Sequence, residues 1–425
     1  MSKRFTRQEK SQPKHSHYSS TKPITRNSVV IPPNPSSRPE WRGTGFQKPK
    51  KKAPQKVTLG KEKELEIENC VSEKLQREFL RVVRTAFPVC LKEYEELKPL
   101  LTDVKRALDA GGQEFQGNIG REKEMKEVFL VRWGVERSLM LASLLVGWAE
   151  DEFKSESLFE NLRLSSVPFT TVCFGNGAEE LGTLAMLLRM MRDENGEERG
   201  EARSQSTSND SSTAETDAPS AASQLLIHGP PEWIPETSTL HSGLKAPPIL
   251  SKYASEAAKA AASPFLPPSL PLEAHHIPHT PIEKLEFSSS TTAPCLFLFA
   301  YSLAEMRNAS LPNTIKILLA ITRDAAKGSL LVVVDNVEIP EELKGEKRYP
   351  LRFVLDLALL GRGVGKGNGE TGEHEGDEGS KAALVSKWER LRSDEERIYK
   401  PERCAEYPVS LGKVAVQVHL FRKVG

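Results

Sequence analysis

Phe174, Gly175, Asn176, Gly177 and Glu179 carry the chemistry most legible in this chain. An apolar, β-branched run from Phe169 to Phe174 meets Gly175-Asn176-Gly177, and an amphipathic segment, Ala178 to Leu188, follows at once. The pattern predicts a strand, a tight glycine turn and a helix. Such a unit builds nucleotide-type cofactor sites, because glycines let the backbone approach a ligand and the first helical turn offers free N–H groups. The same pattern also serves as a plain strand-to-helix turn in any α/β protein. A third glycine at the dinucleotide spacing is missing, which argues against a nicotinamide enzyme.

The flanking sequence predicts the elements that must hold this turn. Lys61 to about Phe153 reads as helical: Leu65, Ile67, Val71, Leu75, Phe79, Val82, Val83 and Phe87 recur at helical spacing. Phe87-Pro88 breaks that run, a second helix spans Leu97 to Leu108, and a third spans Glu122 to Trp148, with Trp133 expected in the core. After the glycine unit, Arg192 to Ser223 is Ser/Thr/Glu/Asp-rich and reads as a disordered insertion. Gln224 to His228 is the next short strand, and Pro230, Pro231 and Pro235 bar a helix directly behind it. Tyr253 to Ala261 reads as a helix. Cys295 to Leu303 and Ser329 to Asp335 are continuous apolar runs, as strands buried on both faces require, with an amphipathic helix from Asn313 to Lys327 between them. Leu351 to Leu360 is a helix, Gly361 to Ser380 a disordered stretch, and Lys387 to Arg392 a short helix. Tyr407 to Val409 with Val414 to Phe421 predicts a closing hairpin. The expected fold is α/β, a mostly parallel sheet with an antiparallel hairpin added last.

Charge is nearly balanced, 59 Lys+Arg against 58 Asp+Glu, but unevenly placed. Met1 to Lys56 holds 14 Lys/Arg and two acids, Glu9 and Glu40, and includes Lys48-Pro49-Lys50-Lys51-Lys52. A basic, Ser/Pro-rich arm of this kind predicts a disordered tether to nucleic acid or a nuclear import signal. The five cysteines are scattered with no CxxC pair, so they read as reduced thiols of an intracellular protein. The polar N-terminus and the lack of a membrane-length apolar run predict a soluble chain without membrane association. His275-His276-Ile277-Pro278-His279 lacks a second ligand cluster, so no metal is expected.

A G-x-G turn followed by Glu179-Glu180 is similar to the first motif of class I S-adenosylmethionine methyltransferases. More closely, the chain resembles the fungal 25S ribosomal RNA uridine-N3 methyltransferases, with motifs in order from about Leu75 to Lys423. Arg132-Trp133-Gly134-Val135-Glu136-Arg137-Ser138-Leu139 is similar to the family's RWSPSRAL, and Phe174 to Glu179 resembles its glycine motif. Leu250-Ser251-Lys252-Tyr253-Ala254 and Ser263-Pro264-Phe265-Leu266 resemble its linker between second and third strands. Leu330 to Asp335, Tyr349-Pro350-Leu351-Arg352-Phe353-Val354-Leu355-Asp356, Tyr407-Pro408 and Gln417 to Arg422 follow in the family's order. The sequence departs from the family at three places. Where the family ends strand two in an acid, this chain has Ile227-His228-Gly229-Pro230-Pro231-Glu232-Trp233. Ala304 replaces an Asn, and Ile398-Tyr399-Lys400-Pro401 replaces WFRLP.

The resemblance implies a class I methyltransferase (Rossmann-like) sheet at residues 165–425, with disordered insertions near 192–223 and 361–382. It also implies a helical N-terminal extension at 59–155 and a basic arm at 1–58. S-adenosylmethionine is the implied cofactor, contacted by Phe174, Gly175, Asn176, Gly177 and Glu179, and by His228 and Glu232 where the family has its ribose-binding acid. Glu305, retained from the family's FTLNELY, is the candidate base or orienting group, since uridine N3–H must lose its proton; it equally suits a helix N-terminus. Asp335 ends a strand on the ligand-binding edge. The implied partners are ribosomal RNA or a pre-ribosome, the implied site nucleus or nucleolus with cytoplasm open, and the expected state a monomer. A rival reading is a methyltransferase-like RNA-binding or ribosome-assembly protein without catalysis.

Overall fold

Alternation and apolar runs resolve into one eight-stranded sheet. The computed structural model describes residues 65–110, 122–152, 169–203, 222–250, 252–277, 293–338, 349–361, 387–404 and 407–425. The arm at 1–58, most of the two insertions and His279 lie outside them. The strands are β1 Glu66–Ile67, β2 Thr170–Phe174, β3 Ser223–His228, β4 Leu272–His276, β5 Cys295–Ala300, β6 Leu330–Asn336, β7 Trp388–Tyr399 and β8 Val414–Lys423. Their spatial order is β1-β7-β8-β6-β5-β2-β3-β4. All neighbours pair in parallel except β8, which runs antiparallel to both β6 and β7. From β4 to β7 this is the doubly wound order with one reversed strand inserted next to last, the layout of class I methyltransferases.

The helices are α1 Glu73–Ala86, α2 Tyr94–Ala110, α3 Lys123–Phe129, α4 Val135–Gly147, α5 Ala178–Arg203, α6 Ile234–Lys245, α7 Glu256–Ala261, α8 Leu303–Ala309, α9 Leu311–Asp324 and α10 Leu351–Leu360. One core joins α1 to α6 to one sheet face through residues such as Phe79, Leu139, Leu184, Leu298 and Val332. A second core joins α9 and α10 to the other face through Phe174, Phe299, Leu318 and Leu355. α3 and α4 are joined by a π-helical turn, Leu130–Gly134, and Trp133 stacks on Phe129 with ring centroids 6.4 Å apart.

Several local expectations need correction. Lys387 to Arg392 is no helix: Trp388–Tyr399 is a strand paired with β8 along its length, with two irregularities of register. Its charges resemble a helical pattern, but Arg390 pairs with Asp356 and Trp388 Nε1 donates to Thr322 Oγ1 at 2.9 Å, contacts that only the sheet supplies. Tyr407 to Val409 lies outside the sheet, where the Tyr407 hydroxyl donates to Val131 O at 2.6 Å. His275 and His276 belong to the edge strand β4, whose polar exposed face hid it. Glu66 and Ile67, read as helical, pair with β7. Pro235 falls in the first turn of α6, where a missing N–H costs nothing. α5 runs on to Arg203, past the point where the Ser/Thr-rich stretch begins. Among the described residues no helix is long and apolar enough to cross a membrane.

Candidate active site

The ends of β2 and β3 approach so closely that β3 must run into a glycine, Gly229. Gly175 N donates to His228 O at 3.3 Å. A Cβ on Gly229 would lie 1.8 Å from Gly175 O, a backbone atom that cannot swing away. Gly177 sits at φ +80°, and a Cβ there would meet Ile227 at 2.6 Å. Asn176 then starts α5, its Oδ1 accepting from Ala178 N at 2.8 Å and Glu179 N at 3.4 Å. Thr237 of α6 holds the loop from behind, donating to Asn176 O at 3.0 Å. We expect Gly229→Ala to cost at least about 3 kcal/mol. A thermal unfolding curve like that of the wild type would show that the two strand ends are not locked.

Acids gather on this C-terminal edge around the cation of Arg137. Arg137 of α4 donates to Glu179 Oε1 at 3.1 Å, and Asn176 Nδ2 donates to the same oxygen at 3.2 Å. The guanidinium lies 3.7 Å from the centroid of the Tyr301 ring. Tyr301 directly follows β5 and is held at φ +58°, the left-handed region a tyrosine rarely occupies. Glu305 is in the first turn of α8. Asp335, at the end of β6, accepts from Ala304 N at 2.8 Å and so fixes the start of that helix. It therefore positions Glu305.

Burial governs the charges. It pushes Glu180 up to about 8, assisted by the neighbouring Glu179 charge, Glu305 up to about 7, and Asp335 up to about 6. It also raises Glu179, against the pull of Arg137. Each of these acids binds its proton more tightly folded than unfolded. Their contribution to stability is therefore greatest below the unfolded carboxylate range and is lost as pH rises from about 4 to about 8. Glu180→Gln removes one such group. Its melting temperature is expected to exceed the wild type's at about pH 9 and to converge with it at about pH 5. Parallel pH dependence of the two proteins would contradict the burial of Glu180.

The remaining sequence candidates separate. Phe174 is a core residue, stacked on Phe299 at 4.4 Å and His228 at 5.3 Å, so only its backbone borders the site. His228 does end β3, and burial pushes it down to about 4, which leaves it neutral. Its imidazole offers a face and hydrogen bonds but no carboxylate. The Glu232 side chain is exposed in the turn behind β3, and its carbonyl accepts from buried Lys126 at 2.6 Å. Lys126 also pairs with Glu236 at 2.8 Å, which fixes that turn from α3. Among the described residues no group of three His, Cys, Asp or Glu is placed to hold a metal. Sequence reasoning missed Arg137 and Tyr301 as site residues. Arg137 lies within the segment similar to RWSPSRAL, and Tyr301 continues an apolar run, so neither residue type stands out.

The edge fits an amino-acid group carrying both charges. Glu180 Oε2, the Tyr301 hydroxyl and Ser302 Oγ are buried there without a hydrogen-bonding partner among the described residues. A Cβ at Gly175 would fill the space beside Glu180 Oε1, at 3.2 Å. The open Glu180 oxygen complements an ammonium group, which would draw that carboxyl back toward its charged form, while Arg137 and the tyrosine hydroxyl complement a carboxylate.

Three solved structures resemble the chain at low similarity. The mitomycin 7-O-methyltransferase MmcR is 16% identical, with 76% of this chain and 67% of that one covered and a TM-score of 0.27. LepI in complex with SAM is 10% identical (78% and 65% covered, TM-score 0.29), and human N-acetylserotonin methyltransferase with SAM is 10% identical (77% and 67% covered, TM-score 0.25). The chain spans about two thirds of their length. Scores of this size leave the strand order to carry the fold. No curated protein sequence matches the chain. Residues 83–422 match the model of a family described as "Putative SAM-dependent methyltransferase", and with its strand order, glycine turn and charged edge the chain belongs to that family.

Proposed function

We propose that this S-adenosylmethionine-dependent methyltransferase transfers its methyl group to N3 of a uridine in large-subunit (25S) ribosomal RNA. The observation that carries the reading is Glu305. It stands in the first turn behind β5, and burial raises it to about 7. A base poised near neutral pH and only weakly solvated suits an N–H that must be lost as the methyl arrives. The motif order from Leu75 to Lys423 supports the RNA acceptor, and the Lys/Arg-rich arm supports both RNA contact and a nuclear or nucleolar site.

The donor supplies an electrophilic methyl on a sulfonium; the chain's own residues bind, orient and accept the proton. Gly175 and Gly177 let the donor lie against backbone. Arg137 and the Tyr301 hydroxyl would take its carboxylate, and Glu180 its ammonium group. Asp335 fixes the start of α8, so that Glu305 faces the reacting edge. His228 and Glu232 are the groups near the end of β3 left to meet the ribose. We take the protein to act as a monomer.

N3 methylation blocks Watson–Crick pairing, so reverse transcription stops at the modified base. Large-subunit RNA treated with the protein and donor is expected to give one new stop at a uridine. Methyl found on another atom or on protein would overturn the acceptor. One observation favours a second reading, a methyltransferase-like RNA-binding protein without catalysis: β3 ends in neutral His228 instead of an acid. RNA binding without donor binding would select it.

A further inference from the structure

The donor site leaves unused an aromatic pair on the same rim as Glu305. Tyr349 and Phe353, one helical turn apart at the start of α10, stack with ring centroids 5.1 Å apart and planes at 21°. Tyr349 is 54% exposed. Its backbone is nevertheless held by a buried network. Arg307 of α8 donates to Tyr349 O at 2.9 Å and pairs with Glu338, whose other oxygen accepts from Leu351 N at 2.9 Å. Arg307 is only 8% exposed. Burying a cation is costly unless it is fully paired, and here that pairing fixes the place of a surface tyrosine. Arg307 is also two residues from Glu305 in one short helix. The ring pair and the carboxylate therefore ride on a common frame, at the C-terminal edge of β5 and β6.

One exposed aromatic is ordinary surface. A stacked pair with an anchored backbone, beside the reacting edge, is a different object. We propose that Tyr349, backed by Phe353, is a stacking platform for an unpaired base of the RNA acceptor. This rests on the RNA reading above. Every base offers a π face, so the platform accepts any of the four, and a ring already stacked loses little freedom when a base lands on it. Charge complements it: Arg352, in the first turn of α10, is 45% exposed at its side chain and reaches Glu395 at 2.8 Å. A partly exposed guanidinium in the same helical turn as Phe353 suits the phosphate of the stacked nucleotide.

The probe is a short single-stranded oligouridine carrying one 2-aminopurine, whose fluorescence is quenched when it stacks. Wild type, Tyr349→Phe and Tyr349→Ala are each titrated with it, and separately with S-adenosylmethionine. Wild type and Tyr349→Phe are expected to quench the probe. Tyr349→Ala is expected to lose the quench and bind the RNA about tenfold more weakly, with donor affinity unchanged. Full quenching and unchanged RNA affinity in Tyr349→Ala overturn the platform alone. Failure of the wild type to bind the RNA overturns the acceptor reading, and the platform with it.

Discussion

Arg137→Ala is expected to abolish measurable donor binding, slow methyl transfer about a hundredfold or more, and destabilise the protein by about 3–5 kcal/mol. The guanidinium is buried among Glu179, Glu305, Asp335 and Tyr301. Burial disfavours its charge, but Glu179 more than compensates, so it remains a firm cation facing these acids. Removing it leaves Glu179 buried and unpaired, which is the costly way to break such a pair. It also removes the influence that lowers Glu305, so any residual activity should move to higher pH. Arg137→Lys keeps the charge but loses the planar fork, and should recover stability better than donor affinity. Calorimetric titration, denaturant unfolding and a pH–rate profile read these effects. Wild-type donor affinity together with an unmoved profile in Arg137→Ala would remove α4 from the site.

Glu305→Gln is the second large effect, and its signature is the opposite one. Gln keeps the shape and the start of α8 but cannot take a proton. Methyl transfer should fall by about 10²–10⁴, while donor affinity, and the melting temperature at about pH 5, stay near the wild type's. The sign of the pH dependence follows from the raised carboxyl. Glu305 is charged above about 7 and protonated below it. The wild-type rate should therefore fall as pH drops through about 7, and Glu305→Gln should lack that step. A variant that retains both rate and step would reduce Glu305 to a helix-terminal carboxylate interacting with the dipole.

The sequence was most informative where one local cause decides the structure. Cys295–Ala300 and Leu330–Asn336 are strands because their side chains are apolar on both faces, and a parallel sheet buries both. Gly175-Asn176-Gly177 reads as a turn because the positive φ at Gly177 leaves few alternatives. It was least informative where a distant partner decides. Trp388–Tyr399 is charged and has no strong β pattern, and it becomes a strand because β8 lies beside it. Arg137 lies 42 residues before Glu179, and only the packing of α4 against α5 brings them together. Tyr301 continues the apolar run of β5, and its backbone turns out of the sheet at a conformation that no residue preference announces. The paired acids at Glu179 and Glu180 were visible as residues. Their separate roles, one paired and one left with an open oxygen, come only from burial.

The central claim is that the β2 turn and the Arg137 cluster form an intact donor site, although β3 ends in histidine. Calorimetric titration of the whole chain with S-adenosylmethionine tests it directly, with Gly177→Arg as control because a side chain there meets Ile227. The account predicts saturable binding at one site, lost in Gly177→Arg. Absence of binding by a wild-type chain that unfolds cooperatively would contradict it.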